Sequence, residues 1–428
     1  MKGKIHFLGI AGSGASAIAA IAQAQGYTIS GCDKNLQREF TKKFDPKLLY
    51  EGHSADHLTD VEILAVTPAI YSSDANNPEL LTAKEKGIKI LTWQQFMGKY
   101  LEKDKFVIAV CGTHGKSTTT AMVGTILEDA KLDPMVELGA KVPKWGVNYR
   151  IGRGKYFVTE ADEFNDNFLV SHPDITVVTT LEMDHPEYFK DFEAYKASFA
   201  KFFSQTKGKI IANLSDPGVK EALALHPKGG KVIVDYSSHP IDFPLQIPGR
   251  YNVLNASAAY QVGLALGINP ETIQKSLRNF TGIGRRFDHL GDYQGAYIYS
   301  DFAHHPTEIK VTLQAAREKF PKKRLMVIFQ PHMFSRTYTL FNDFVRVLKE
   351  APVDKIYIMD IYPSREVDTG KVNSRQLVEA VGKKSVTYLG PQKPALEQIQ
   401  DVFGKDSVIF FMGAGDTEKL AKEVLMLK

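Results

Sequence analysis

The sequence predicts an α/β protein of three domains, and its length, its composition and its alternation of strands and helices support that prediction. At roughly 150 residues per domain, 428 residues correspond to about three domains. Apolar residues make up 43% of the chain and charged residues 24%, which excludes a disordered, collagen-like or fibrous protein. The alternation restarts after residues 102–105 and again after 282–286, so we predict domains at 1–102, 103–287 and 288–428.

Charge and cysteine content limit the partners that this chain could have. The net charge is only +4, without the basic stripe expected of a nucleic-acid binder. Two cysteines, Cys32 and Cys111, are too few for a disulfide framework or a four-ligand zinc site, which fits a reducing cytosol. No apolar stretch reaches the roughly 18 residues of a membrane span. We expect a cytoplasmic monomer or homodimer that acts on small molecules and binds neither nucleic acid nor membrane.

The first domain opens with one β-α-β unit. A strand, a helix and a second strand are predicted at residues 5–9, 13–25 and 27–32. The glycines of the first turn, Gly9, Gly12 and Gly14, are spaced G-x-x-G-x-G, and Asp33 ends the second strand. This is a variant of the dinucleotide fingerprint G-x-G-x-x-G, in which backbone N–H groups approach a diphosphate at a helix N-terminus. A nicotinamide cofactor, another diphosphate and a plain tight turn all remain open.

The second domain begins with a stronger signal for phosphate binding. A predicted strand at 106–111 leads directly into GTHGKSTTT and a helix near 119–127. In that context, backbone N–H groups and the helix dipole would cradle phosphates, Lys116 would reach the β and γ oxygens, and Ser117 would bind Mg²⁺. ATP is the natural ligand. Val110 stands five residues before Gly115, where the standard loop has glycine, so an ordinary P-loop kinase or GTPase is disfavoured.

Two later segments of the second domain carry groups that could bind metal. Strands are predicted at 156–159 and 174–180, followed by Glu160 and, a few residues further on, His185. Because ligands collect outside the carboxyl ends of parallel strands, we expect both residues to converge on the phosphate loop. Glu160 could hold Mg²⁺ directly or through water, and neutral His185 could bind a second divalent ion. A loop histidine without a metal is the alternative.

Asparagines and a third alternating block complete the pattern. Asn252 and Asn255 lie three apart on a predicted helix, on one face, where their amides suit a purine edge, although helix capping explains Asn252 equally well.

Asp301 ends a predicted strand and His304 stands at a helix start with Pro306 at its first position. Arg336 could grip a carboxylate or form a surface ion pair. The strands predicted in the third block are 296–300, 324–329, 355–360 and 408–412.

Taken together, these segments resemble the Mur ligase family. The resemblance covers nearly the whole chain in order, through IHFLGIAGSG, TPAIYSSDANNPEL, GTHGKSTTT, EADE, LEMDHPEYF, PGRYNVLNASAA, GIGRRFDH, SDFAHHPTE, FQPHMFSRT and MGAGD. It implies a Rossmann-like N-terminal domain for a UDP-sugar, a central P-loop ATPase domain with a mainly parallel sheet, and a Rossmann-like C-terminal domain that receives the amino acid.

The resemblance also implies a reaction and a set of site residues. It points to ATP-dependent addition of L-alanine to UDP-N-acetylmuramate through an acyl phosphate, in peptidoglycan precursor synthesis, with Mg²⁺. The implied catalytic residues are Lys116, Glu160, His185, Arg286 and Asp301. The implied ATP-binding residues are Gly112, Thr113, His114, Gly115, Lys116, Ser117, Thr118, Asn252, Asn255, Arg286 and Asp301. The implied UDP-sugar-binding residues are Gly9, Ala11, Gly12, Ser13, Gly14 and Asp33; His304 and Arg336 would bind the amino acid, and Ser117, Glu160 and His185 the metal.

Departures from the family pattern leave rival functions open. Ligases of later steps use a carbamylated lysine, but Phe199 occupies the matching position here and Lys196 is off that spacing, which favours the alanine-adding branch. Met333 stands where that branch often has arginine, so a ligase that attaches an intact murein tripeptide is the first rival. A nicotinamide oxidoreductase built on Gly9, Gly12 and Gly14, and a non-catalytic nucleotide sensor, belong to other classes.

Overall fold

The computed structural model of the chain describes residues 2–36, 39–225, 231–364, 366–391, 399 and 403–427. The backbone divides into two compact units. The first comprises Met1–Glu182, Phe192–Pro244 and Leu254–Phe280, and the second comprises Met183–Asp191, Leu245–Val253 and Thr281–Lys428. The first unit contains two sheets and the second contains one, which confirms the predicted α/β class with mainly parallel sheets. The predicted limits of the three domains stay a prediction.

The first sheet has five parallel strands in the order β3-β2-β1-β4-β5. Apolar side chains such as Ile5 and Phe7 are fully buried, as expected where both faces of a parallel sheet are covered. The strands are β1 Lys2–Leu8, β2 Tyr27–Asp33, β3 Leu49–Glu51, β4 Ile63–Val66 and β5 Lys89–Thr92. The helices are α1 Ser13–Ala24, α2 Ile70–Ser73, α3 Pro78–Glu85 and α4 Trp93–Phe96, with a π-helical turn at Met97–Leu101 and 3-10 turns at Glu39–Thr41, Pro46–Leu48 and Ala55–Leu58.

The second sheet has seven strands in the order β12-β11-β10-β6-β9-β7-β8, parallel except for the last pair. Its central strand β6 is buried along five of its six residues and leads into the predicted phosphate loop. The strands are β6 Phe106–Cys111, β7 Met135–Val142, β8 Val147–Arg150, β9 Tyr156–Glu160, β10 Ile175–Val178, β11 Lys209–Ala212 and β12 Val232–Asp235. The helices are α5 Lys116–Asp129, α6 Phe192–Gln205, α7 Pro217–Leu225, α8 Arg250–Ala265 and α9 Pro270–Arg278, with a 3-10 segment at Phe164–Val170.

The third sheet has six strands in the order β13-β14-β18-β15-β16-β17, parallel except for its first pair. Buried aromatic residues, among them Phe329 and Phe410, join the sheet to the helices that cover it. The strands are β13 Asp288–Tyr293, β14 Ala296–Asp301, β15 Arg324–Phe329, β16 Lys355–Met359, β17 Val386–Gly390 and β18 Ser407–Met412. The helices are α10 Pro306–Lys319, α11 Phe334–Thr339, α12 Phe341–Glu350, α13 Ser374–Val381 and α14 Thr417–Met426.

Several elements differ from the sequence prediction. The hairpin of β7 and β8 was not predicted, because Glu137, Gly139 and Lys141 interrupt the apolar pattern of β7. The many Gly and Pro residues of 227–249 predict no more than one or two strands there, and the structure has β12 in this stretch, with residues 226–230 outside the described part. Among the residues that the structure describes, no helix combines the length and hydropathy needed to cross a bilayer.

Candidate active site

The loop after β6, residues 112–117, requires glycine at two positions. Gly112 has φ +127° and Gly115 has φ +82°, a region that only glycine enters without strain. A Cβ atom at Gly112 would overlap the Thr179 hydroxyl, and one at Gly115 would overlap the Asn255 amide. Gly115 is the N-cap of α5, so the positive end of the helix dipole lies in this loop. A glycine-rich loop at a helix N-terminus is a backbone arrangement that can bind an anion.

Lys116 supplies the positive charge of this loop. Its Nζ donates to Gly112 O over 2.6 Å and to Glu163 Oε2 over 2.8 Å. Burial alone would lower the pKa of Lys116, but the nearby carboxylates, first Glu163 and then Asp162 and Glu160, together raise it above its ordinary value. The ammonium group is therefore charged at any physiological pH, beside the N-terminus of α5.

A hydrogen-bonded chain fixes the carboxylate that holds Lys116. The Tyr195 hydroxyl donates to Glu163 Oε1 over 3.0 Å and lies 2.9 Å from Thr113 Oγ1. The Glu163 side chain has no solvent exposure. The EADE motif contains Glu163, but no role was predicted from the sequence for Glu163 or Tyr195. The acidic residue three positions after Glu160 was the available signal for the first, and nothing in the sequence pointed to the second.

Four further residues of the predicted ATP site, Thr113, His114, Ser117 and Thr118, lie in the same loop or in the first turn of α5. Thr113 N donates to Thr180 O over 2.7 Å, and His114 Nε2 lies 2.5 Å from Glu182 Oε1. In the first turn of α5, Ser117 is half-buried and Thr118 is buried. The structure thus brings residues 112–118 and Asn255 together in the first unit.

Carboxylates gather at the edge of the second sheet beside the loop. Glu160 ends β9 in register with Val110 of β6, and its Oε2 accepts from Gly139 N over 2.8 Å. Glu137 is buried and accepts from the Thr159 hydroxyl, and burial together with the charge of Glu160 raises its pKa to about 8. Hard oxygen donors at this edge, together with the Ser117 hydroxyl, match the ligand preference of Mg²⁺.

The first glycine loop, residues 9–14, is built differently. Gly9 N and Ile10 N both donate to Cys32 O, and Ala11 N donates to Asp33 Oδ2 over 3.1 Å. The loop backbone is thus tied to the end of β2. Asp33, at the end of β2, thus holds the loop through its carboxylate.

Glycine is required by close packing in this first loop as well. Gly9 has φ +88°, and a Cβ atom there would lie 2.6 Å from Thr67 Cγ2. A Cβ atom at Gly14 would overlap the Trp93 ring, whereas one at Gly12 would come no closer than 3.4 Å to another atom. Ser13 begins α1, and its carbonyl accepts from Asn148 Nδ2 over 2.8 Å.

In the second unit, Asp301 organises the segment that carries Arg286. Its two oxygens accept from Phe287 N and Ala303 N, each over 2.8 Å. Burial raises the pKa of Asp301 to about 6, although Arg286 acts in the opposite direction. Arg286 Nη1 forms an ion pair of 2.8 Å with Glu308.

Arg336 is held by a buried carboxylate of the second unit. Its Nε and Nη2 donate to Asp184 Oδ1 over 3.1 and 2.9 Å, and Arg336 is only 2% exposed. The alternative of a surface ion pair is therefore wrong. Burial would raise the pKa of Asp184, but Arg336, His185 and His304 outweigh it and hold that pKa well below its ordinary value. Sequence reasoning assigned no role to Asp184, although the LEMDH motif contains it.

The two histidines and Asn252 have their own partners in the second unit. Burial lowers the pKa of His304 to about 4, and its Nδ1 lies 2.9 Å from Phe302 O. His185 has φ +53° and pairs with Glu187. The Asn252 amide donates to Pro248 O over 2.7 Å. The predicted convergence of His185 with the phosphate loop stays a prediction, because that loop belongs to the first unit.

Lys196 has a structural explanation. Its Nζ pairs with Glu193 and Glu221, each over 2.6 Å. These ion pairs agree with the prediction that Lys196 does not take the place of the carbamylated lysine, whose matching position is Phe199.

Three family models match successive parts of the chain. They are the Mur ligase family catalytic domain over residues 4–105, the Mur ligase middle domain over 110–228 and the Mur ligase glutamate ligase domain over 285–415. The chain belongs to the Mur ligase family, which confirms the resemblance drawn from its motifs.

Within that family, the chain is similar to alanine-adding enzymes over its full length. It is 35% identical over 450 residues to the UDP-N-acetylmuramate–L-alanine ligase of Aquifex aeolicus, covering 99% of this chain and 97% of that protein. The crystal structure of UDP-N-acetylmuramate-alanine ligase from Thermotoga maritima matches with a TM-score of 0.81 and 26% identity, covering 99% and 98%. A murein peptide ligase from Psychrobacter arcticus matches with a TM-score of 0.70 and 23% identity, covering 99% and 98%, which shows a common fold.

Proposed function

We propose that this protein is the ATP-dependent ligase that joins L-alanine to UDP-N-acetylmuramate in the cytoplasm, a step of peptidoglycan precursor synthesis. The observation that carries the proposal is the charged Lys116 at the N-terminus of α5, held by Glu163 beside an edge of carboxylates. The name of the full-length relatives supplies the substrates, and it agrees with the activity that the motif series implies.

The phosphate loop would bind ATP through its backbone and Lys116. Backbone N–H groups at the N-terminus of α5 would bind the phosphates, and the Lys116 ammonium would neutralise charge on the transferring γ-phosphoryl group. Thr113, His114 and Thr118 complete the loop. In the same proposal, Asn252, Asn255, Arg286 and Asp301 bind the nucleotide.

Ser117 and Glu160 are the residues that would hold Mg²⁺, and His185 would hold a second divalent ion. Mg²⁺ neutralises phosphate oxygens when bound. Glu163, Asp162 and Glu160 all act on the charge of Lys116, and a divalent cation would offset the negative charge that Lys116 leaves unbalanced.

The reaction follows from the chemistry of carboxylates. The lactyl carboxylate of UDP-N-acetylmuramate is a poor electrophile, so it first attacks the γ-phosphorus of ATP and forms an acyl phosphate with release of ADP. The amine of L-alanine then attacks the acyl carbon, and the tetrahedral intermediate expels phosphate and leaves the amide. The loop of Gly9, Ala11, Gly12, Ser13 and Gly14 would bind the UDP diphosphate, with Asp33 holding that loop in place.

His304 and Arg336 are proposed to receive the amino acid. The Arg336 guanidinium already binds Asp184 through Nε and Nη2, while its Nη1 lies 3.3 Å from His332 Nδ1. The alanine carboxylate would share this guanidinium with Asp184. Neutral His304 can accept or donate a single hydrogen bond beside it.

An ADP-release assay tests the proposal directly. Purified protein receives ATP, Mg²⁺ and UDP-N-acetylmuramate with L-alanine, glycine, L-serine or the murein tripeptide. We expect sustained ADP release, over many turnovers, only when sugar nucleotide and acceptor are both present, with L-alanine as the best acceptor. Preference for the tripeptide would assign the recycling activity, and no ATP consumption with any acceptor would refute a ligase. Sedimentation in the same buffer distinguishes a monomer from a homodimer.

A further inference from the structure

Four potential metal ligands from separate elements of the first domain meet at one point, and none of their side chains has a role in the proposed function. They are His6 on β1, Cys32 on β2, His57 in the 3-10 turn Ala55–Leu58 and Glu79 in the first turn of α3. One ligand atom from each lies within 4.8 Å of every other. His6, Cys32 and Glu79 have no solvent exposure. We refer to these four residues as the His-Cys-Glu cluster.

Glu79 is at the centre of the cluster. Its Oε2 accepts from Cys32 Sγ over 3.0 Å, and its Oε1 lies 2.7 Å from His57 Nδ1 and 3.2 Å from Ser54 N. A further imidazole lies beside it, with His53 Nδ1 3.3 Å from Cys32 Sγ. Sulfur, nitrogen and carboxylate donors thus surround one point.

One potential metal ligand of the cluster, a ring nitrogen of His6, has no hydrogen-bond partner among the described residues. His6 Nδ1 pairs with Ser30 Oγ over 2.9 Å, and this bond turns the other ring nitrogen into the cluster. That nitrogen, Nε2, lies 3.8 Å from Glu79 Oε2 and has no hydrogen-bond partner among the described residues. Buried polar atoms in proteins are nearly always partnered, so an unpartnered imidazole nitrogen aimed at three other ligands indicates an absent ligand.

We propose that the His-Cys-Glu cluster binds one zinc ion. Imidazole, thiolate and carboxylate are the ligands that zinc takes in tetrahedral sites, whereas magnesium prefers oxygen alone. With bonds of about 2.0–2.3 Å, tetrahedral ligands stand roughly 3.3–3.8 Å apart, so the pairs at 2.7 and 3.0 Å must open by well under an ångström. On binding, the Cys32 thiol releases its proton to solvent and the thiolate donates an electron pair to zinc.

The proposed site is structural. Four protein ligands fill a tetrahedral shell and leave no position for a substrate. The Ser30 hydroxyl orients the His6 ring from behind, as outer partners of metal-bound histidines commonly do. Zinc would tie β1 and β2 to α3 directly beneath the first glycine loop, because Cys32 precedes Asp33, which binds that loop.

Metal content and cobalt spectroscopy on the full chain test the site. The protein is stripped with a chelator, dialysed, loaded with zinc and analysed by plasma mass spectrometry. We expect about one zinc per chain, and with Co²⁺ a thiolate-to-cobalt absorption band and intense d–d bands of a tetrahedral ion. Cys32→Ala should abolish the thiolate band. The matched control Cys111→Ala removes the other buried cysteine and should keep both zinc and band.

A second pair of variants keeps the test valid if Cys32→Ala does not fold. The His57 side chain is 13% exposed, so His57→Gln is a mild change, and the exposed His239 provides the control His239→Gln. We expect His57→Gln to weaken zinc binding at least about 10-fold and His239→Gln to leave it unchanged. The proposal is overturned if the stripped protein takes up no zinc, or if folded His57→Gln binds it as tightly as the unmodified protein.

Discussion

The two glycine loops of the first unit both join a parallel strand to a helix, but the first is bound by the Asp33 carboxylate and the second carries the Lys116 ammonium. The first, at 9–14, follows β1 and has its N–H groups directed at Cys32 O and the Asp33 carboxylate. The second, at 112–117, follows β6 and carries the Lys116 ammonium, which the buried Glu163 holds. Both place a helix N-terminus at the carboxyl end of a parallel strand, with glycine at positive φ.

In the proposed function, the two loops serve two kinds of phosphate chemistry. A loop without a lysine can bind a diphosphate that does not react, since backbone dipoles suffice for that charge. A loop that must stabilise a phosphoryl group in transfer needs a full positive charge near the transferring oxygens. We therefore expect changes in the second loop to affect turnover and changes in the first to affect sugar binding.

The largest expected effect is the removal of the ammonium group. Lys116→Ala should lower kcat for ADP release by at least about 10²–10³-fold, because a preorganised charge is lost from the transition state. Binding of UDP-N-acetylmuramate, measured by calorimetry, should remain nearly intact. Lys220→Ala, an exposed lysine on α7, is the control. Loss of sugar binding in Lys116→Ala would contradict the expectation that the second loop affects turnover and the first affects sugar binding.

Next in size is the change of the carboxylate that supports Lys116. Glu163→Gln removes a carboxylate that raises the pKa of Lys116, while burial continues to lower it. The pKa of Lys116 should therefore fall. Because the lysine must be protonated to act, kcat of this variant should drop as pH rises from about 7 to 9, while the unmodified protein stays level. Glu221→Gln, which alters the ion pair between the exposed Glu221 and Lys196, should not change the profile. A level profile in Glu163→Gln would contradict the role given to this carboxylate.

A third prediction concerns the replacement of one glycine in each loop by alanine. Gly112→Ala and Gly9→Ala each place a Cβ at positive φ against a neighbouring side chain, at a cost of about 1–3 kcal/mol. The first should raise KM for ATP and the second KM for the sugar nucleotide, as steady-state kinetics would reveal. Gly26→Ala is the control, since Gly26 has φ +92° with no atom near its Cβ position. Equal effects of both variants on both KM values would contradict the assignment of ATP to one loop and of the sugar nucleotide to the other.

The smallest effect should come from Asp33. Asp33→Ala removes the acceptor of Ala11 N and should raise KM for the sugar nucleotide by roughly 10-fold, since about one hydrogen bond to a charged group is lost. Asp33→Asn retains an oxygen acceptor and should have a weaker effect. The kcat value should not change in either variant, and a fall in kcat would place Asp33 nearer to the chemistry.

Much of the fold was predictable because its signals are local. Strands at 106–111 and 324–329 have the predicted bounds, and Pro306 begins α10 as predicted. Helix α5 begins at Lys116, three residues before the predicted start at 119, because Gly115 at positive φ lets polar residues form the first turn. The polar strand β7 escaped prediction, since an apolar pattern was the only guide.

The sequence by itself determined the loops, their glycines and the order of the family motifs, because each depends on residues a few positions apart. The tertiary structure decided which side chains meet: Lys116 with Glu163 across 47 residues, and Arg336 with Asp184 across 152. It also gathered His6, Cys32, His57 and Glu79 into one cluster, although the cysteine count alone argued against a zinc site. Such pairings depend on strand order and register, which no short segment of sequence specifies.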